Sequence, residues 1–230
     1  MSNRVFTDQE LEEMGTLTLD LINQAIEAGD KEKTKALAKQ MYDECLQMHD
    51  MYVDWSAGFM DWIYKNCGDE ALLEAEKRVF TDFMGLDQLP DMREIDFQLR
   101  VLGTVNWLKG HQQPLKIEED DEKISVTMVP CGSGERLYQK GRFGQPCNLS
   151  LIKKAQPMTG GKADYPVYCT HEPVLELLAI EKLGYPVTVC YPSENIAREE
   201  GGCTFCMYKD IKDTPEEAWT RVGKQKPDNL

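Results

Sequence analysis

A chain of 230 residues with 40 acidic and 26 basic side chains carries a formal net charge of −14, which excludes the Lys- and Arg-rich surfaces that track nucleic acid or anionic membranes. Hydrophobic residues make up 41%, enough for a core that needs no disulfide staples. No apolar run approaches the ~20 residues of a membrane-spanning helix, and the polar, acidic opening MSNRVFTDQELEE is unlike a secretory leader, so a cytoplasmic location is the expectation.

The first ~110 residues read as helices by apolar periodicity. Thr7 and Glu10 make a capping box for a helix running through Leu11, Met14, Leu17 and Leu21 to Gly29. A long second helix is expected over residues 31–66, stopped at Gly68, a third over 69–84 and a fourth over 92–109. On the second, Cys45, His49, Tyr52, Ser56, Phe59 and Ile63 recur at four–three spacing, and such a stripe is expected to face the core. His49 is then either a hydrogen-bonded core histidine or an inward group over a pocket that moves protons. The acidic run 118–122 reads as a solvated loop, without EF-hand spacing.

Past Pro114 the pattern changes. Residues 123–129 alternate and are β-branched, as a strand does. The stretch 132–161 reads as loop and 167–169 as a short extended piece. A helix is expected over 171–183, then strands at 187–191 and 203–208, and a short last helix opened by Pro215. Helices first and strands later predict an α+β fold, with a helical part at 1–112 and a mixed or antiparallel sheet with one long helix at 113–230, the two behaving as one cooperative unit.

Eight cysteines are many for a reducing compartment. Cys45 and Cys67 fit ordinary packing. The other six, from Cys131 to Cys206, are crowded enough to raise metal binding or thiol chemistry. Cys131 opens Cys-Gly-Ser-Gly after a strand, where backbone amides could approach an anion or favour a thiolate. Cys169 and His171 lie two apart at a strand-to-helix junction; an extended segment would put both on one face, as metal ligands or as nucleophile and base. Glu172 follows as a ligand or proton carrier, and Glu176 reads as a solvated acid. Cys203 and Cys206, three apart on a strand, should face opposite sides, which gives Cys203 to the site and Cys206 to packing. Cys147, in an irregular loop, is expected to be dispensable, and Cys190 receives no role.

The order of a strand-end cysteine (Cys131), Tyr168-Cys169-x-His171 before a helix, and Gly-x-Cys203-x-Phe205 on a late strand resembles the L-2-amino-thiazoline-4-carboxylic acid hydrolases over residues 123–210. The Gly-Gly-Cys-Thr-Phe ending also resembles the V4R-type small-molecule-binding domain. The resemblance implies an α+β fold with a small-molecule pocket and, for the first family, hydrolysis at a C=N or C–S centre of a small heterocycle. His171 departs from the pattern by standing where an acid would be expected.

These readings converge on a metal-dependent hydrolase or lyase for a small polar or sulfur- or nitrogen-containing molecule. Cys131, Cys169, His171 and Cys203 would hold zinc or iron, leaving one position open, and Glu172 or His49 would move protons. A metal-free Cys–His thiol enzyme and a module binding a small ligand or an iron–sulfur cluster are the alternatives. The long amphipathic helices make a homo-oligomer a further expectation.

Overall fold

The computed structural model describes residues 5–193 and 202–230. Two readings extend beyond these: the opening stretch includes residues 1–4, and the Gly-Gly pair before Cys203 includes Gly201. The chain forms two compact units, one ending at Tyr52 and one running from Val53 to Leu230. No helix among the described residues is long and apolar enough to cross a membrane.

In the first unit, α1 (Asp8–Gly15) starts from the expected capping box: the Thr7 hydroxyl accepts from the Glu10 N–H at 3.2 Å, and the Glu10 carboxylate accepts from the Thr7 N–H at 2.7 Å. The single helix expected to reach Gly29 is broken at Thr16, and α2 (Thr18–Glu27) follows. Leu21 and Ala25 of α2 pack with Leu37 of α3 (Lys31–Cys67), the long helix anticipated by the periodicity. Helix α1 itself buries nothing.

In the second unit, the C-terminal part of α3 leads through Gly68, at φ +88°, into α4 (Asp69–Arg78) and a π-turn over Val79–Phe83. The stripe expected to face the core does not do so: Cys45, Tyr52, Ser56 and Phe59 are exposed, and Val53 and Ala57 are buried instead. The cause is that α3 is apolar on two sides, so a four–three rhythm can be traced along either. Helix α5 (Phe97–Lys109) is capped by Asp96, whose carboxylate accepts from the Gln98 N–H at 2.9 Å.

The sheet is antiparallel, in the order β1 (Leu115–Glu119), β2 (Lys123–Met128), β6 (Thr204–Tyr208), β5 (Val189–Tyr191). Glu118 and Glu119, read as loop, lie on edge strand β1, and Asp120–Glu122 form its turn into β2. Helix α6 (Gly134–Gln139) and a two-stranded sheet of β3 (Leu151–Ile152) and β4 (Tyr165–Pro166) occupy the stretch read as loop. Helix α7 (His171–Leu183) matches its expected span, and α8 (Glu217–Thr220) closes the chain. The fold is α+β, helices before an antiparallel sheet.

Alternation sorts the sheet's side chains into two layers. Val126, Met128, Cys190, Cys203, Phe205 and Met207 pack with Val105 and Leu108 of α5. Val189 and Cys206 point to the other layer, with Leu177 and Ile180 of α7 and with Trp219. Cys203 and Cys206 thus occupy opposite layers, as their three-residue spacing on a strand requires.

Candidate functional site

Three local structures bring thiols together. After β2 ends at Met128, the chain turns through a cis Val129–Pro130 bond to Cys131, whose N–H donates to the Glu135 carboxylate at 3.0 Å. The Cys131 sulfur lies 3.6 Å from the Ser133 hydroxyl. A Cβ added to Gly134 would sit 2.9 Å from the Cys169 sulfur and 4.0 Å from that of Cys131, so both sulfurs converge on this bare α-carbon. Cys203 stands just before β6, hydrogen-bonded to Cys190 of β5. Its position is set by Gly202, where any Cβ would lie 1.6 Å from the Met128 carbonyl oxygen, so only glycine lets the two strands meet.

The thiols differ in how readily they ionise. Burial pushes Cys131 up, and the nearby Cys203 adds to it. Burial holds Cys169 well above the ordinary range, reinforced by Cys203 and Cys131. The exception is Cys203: a hydrogen bond from the Cys190 thiol lowers it against the cost of burial, and the same bond raises Cys190. The amide-lowered thiol expected at Cys131 is therefore not what the structure contains, since burial outweighs the backbone there. The thiol that its neighbour lowers belongs to Cys203, the residue just before β6.

His171 and Glu172 complete the cluster. The segment Val167–Thr170 is a 3-10 turn, not the extended piece expected, so Cys169 and His171 do not share a face through strand geometry. The His171 Nδ1 faces the Tyr168 carbonyl oxygen at 2.5 Å and its Nε2 faces the Glu172 carboxylate at 3.1 Å, so both ring nitrogens are engaged. Burial works against charge on this ring, but the Glu172 carboxylate, the Tyr168 carbonyl and the nearby Glu76 outweigh it and raise the imidazole to about 9. At neutral pH His171 is thus an imidazolium, an acid and not the base that the Cys–His reading required.

Two further glutamates, Glu176 and Glu76, lie close by. Glu176, read as solvated, is buried: Arg221 grips it through Nε at 3.1 Å and through Nη2, and the Cys190 N–H donates to it at 2.5 Å. Burial raises its carboxyl to about 7 despite Arg221. Glu76, on α4, lies 2.8 Å from the Thr170 hydroxyl, which donates to the Val167 carbonyl at 2.7 Å. Burial raises Glu76 to about 7 as well, and its Oε2 has no hydrogen-bond partner. An acid on the apolar side of a helix was the one available signal for Glu176; its partner Arg221 lies 45 residues further on. His49 belongs to the first unit, where its Nδ1 lies 3.1 Å from the Asp50 carboxylate.

A cavity of about 350 Å³ opens beside the cluster, walled by apolar side chains of α5, α7 and β6, among them Leu99, Trp107, Leu175 and Phe205. Glu172 belongs both to its wall and to the group of charges around the thiols. Arg100 lines it too, with Nε buried and without a hydrogen-bond partner. Among the described residues, no three His, Cys, Asp or Glu side chains are disposed to hold one metal ion. Cys147 is exposed and lies 3.9 Å from Arg142, apart from the thiol cluster. No protein-family model, no curated protein and no solved structure matches the chain.

Proposed function

We propose that this protein is a thiol-dependent hydrolase of a small molecule, with Cys203 as nucleophile. One observation carries the reading: the Cys203 thiol, lowered by its hydrogen bond with Cys190, lies within electrostatic reach of the His171–Glu172 ion pair, and Glu172 opens onto a cavity. The Cys203 thiolate adds to an electrophilic C=N or C=O carbon. The leaving group departs with the proton of the His171 imidazolium. Water then attacks the thioimidate or thioester; its proton passes by way of Glu172 to His171, and the Cys203 thiolate is released. The net change is addition of one water across the cleaved bond. The cavity, at the lower end of the roughly 300–1,000 Å³ range of ligand pockets, takes a small and largely apolar body. Arg100 would meet an anionic group on it. The likeness to thiazoline-carboxylate hydrolases points to small cyclic C=N and C–S compounds as the first panel to try.

A transition-metal centre is a second reading, favoured by the convergence of Cys131 and Cys169 on Gly134 with Cys203 nearby. One set of variants separates the two. Assayed on a panel of small thiazolines and thioesters, Cys203→Ser should lose at least about a thousandfold in turnover with its circular dichroism unchanged. Cys206→Ser, on the opposite layer, should keep the parental rate. Full turnover in Cys203→Ser sinks the thiol reading. About one equivalent of zinc or iron in protein purified without oxygen, lost in Cys131→Ser and Cys169→Ser, would establish the metal reading instead.

A further inference from the structure

We infer that the cavity walled by α5 and α7 is a binding site for an elongated monocarboxylate, with the carboxylate on Arg100 and the apolar body laid along the two helices towards Glu172. The inference deepens the hydrolase reading and rests on it for the reaction alone; binding rests on the cavity. Two helices set the length of the site. Arg100, Thr104 and Trp107 follow one another along α5, and Leu175, Ala179 and Lys182 do the same along α7. Glu172 and Lys182 are almost three turns apart, about 15 Å along a helix axis. The two ends differ. The C-terminal end of α5 adjoins the thiol cluster: just past the helix, the His111 carbonyl oxygen lies 2.1 Å from where a Cβ on Gly132 would stand, beside Cys131, and it accepts from Arg136 Nη2 at 3.3 Å. Helix α7 begins at the same end, with His171 and Glu172. Arg100, in the first turn of α5, and Lys182, in the last turn of α7, belong to the opposite end.

Arg100 selects the carboxylate. Its Nε is buried and, among the described residues, has no hydrogen-bond partner; its guanidinium lies over the Phe97 ring, 5.0 Å from the centroid. An unmet guanidinium N–H away from water costs free energy, and a carboxylate that accepts through both oxygens offsets it. The other charged groups in the wall each have a partner: His171 for Glu172, Arg221 for Glu176, and the Asp87 carbonyl for Lys182. The rest of the wall is mostly hydrocarbon, so the ligand that matches it has one anionic end and an apolar body. Gly103 points the same way. A glycine weakens a helix interior, and this one stands on the cavity wall inside α5. Beyond its chain neighbours and the helix's own backbone, nothing lies within 4 Å of where its Cβ would be. The missing side chain leaves room for a ligand against the helix.

The test is calorimetric titration of the full chain with sodium octanoate. Octanoate should bind saturably at about one site per chain, and octan-1-ol, the same body without the charge, should bind at least about tenfold more weakly. Arg100→Gln should weaken octanoate by about tenfold or more and leave octan-1-ol unchanged. Gly103→Phe fills the cavity without removing a charge; it should abolish octanoate binding with parental circular dichroism, and it keeps the test open if Arg100→Gln does not fold. Cys203→Ser should bind octanoate as the parent does. Non-saturating uptake by the parent, equal affinity for octanoate and octan-1-ol, or parental octanoate affinity in Gly103→Phe overturns the proposal and leaves the Cys203 reading standing. Full turnover in Cys203→Ser with octanoate still bound does the reverse: it sinks the hydrolase reading and upholds the site.

Discussion

The two layers of the sheet are built from alternate residues of the same strands, yet they are different materials. On the layer of Cys206, Trp219, Tyr185, Val189 and Val222 are almost wholly sequestered, and the Trp219 indole donates to the Gly184 carbonyl oxygen at 3.1 Å. Its hydrogen-bonding need is met inside the core, and nothing there invites chemistry. On the layer of Cys203, hydrocarbon from α5 and β2 surrounds thiols, and the ion pair at the start of α7 lies within electrostatic reach of them. The comparison teaches that one strand can serve packing with its even-numbered cysteine and reactivity with its odd one, because alternation insulates the two.

Substitutions can break that comparison. The largest effect is expected on the sealed layer: Trp219→Ala should lower unfolding free energy by about 3–5 kcal/mol in urea titration, while turnover per folded molecule stays at the parental value. A selective loss of turnover with parental stability would show that the layers are not insulated. A smaller effect is expected where the thiols converge. Gly134→Ala places a methyl group 2.9 Å from the Cys169 sulfur, and overpacking of this kind costs about 1–3 kcal/mol. Thermal melts should show the loss, and it should shrink in a Gly134→Ala, Cys169→Ala double variant, where the obstructing sulfur is gone.

The most gradual effect, spread over pH, belongs to Glu76. Its carboxyl keeps its proton up to about 7 in the folded protein, against 4.5 for the ordinary group, because burial penalises the charge. Between those values the native state holds more protons than the unfolded chain, so this group's contribution falls as pH rises through the window, on the order of 1 kcal/mol per pH unit. The difference in urea midpoint between the parent and Glu76→Gln should therefore change steadily from about pH 4.5 to 7 and level off above it. A difference that is flat across the window would mean that Glu76 is charged throughout.

Much of this architecture was legible in the residues, and the failures have physical causes. Helix α7 is plain because Val174, Leu177, Leu178 and Ile180 mark a buried side, and β2 and β6 are plain because they alternate and carry β-branched or bulky side chains. Strand β1 escaped because an edge strand with one half-buried residue, Leu115, in Leu-Lys-Ile-Glu-Glu looks like a charged loop. The turn before His171 read as extended because Val167 and Tyr168 favour strands locally, and tertiary packing overruled them. The site was half visible: cysteine crowding pointed to Cys131, Cys169 and Cys203. Which sulfur is lowered depends on Cys190, thirteen residues earlier on a different strand, and no local pattern encodes that contact.

The four tryptophans occupy three different situations, which gives the protein a built-in set of optical reporters. Trp219 is wholly buried, whereas Trp55, Trp62 and Trp107 are each more than half exposed. Among the tryptophans Trp107 alone lines the cavity, and Trp55 and Trp62 lie on α3. An indole moved from water into a protein interior emits at shorter wavelength. Filling the cavity should shift Trp107 to the blue, and unfolding should shift Trp219 to the red. With single-tryptophan variants, ligand entry and unfolding each become a separate colour change, readable before any substrate has been identified.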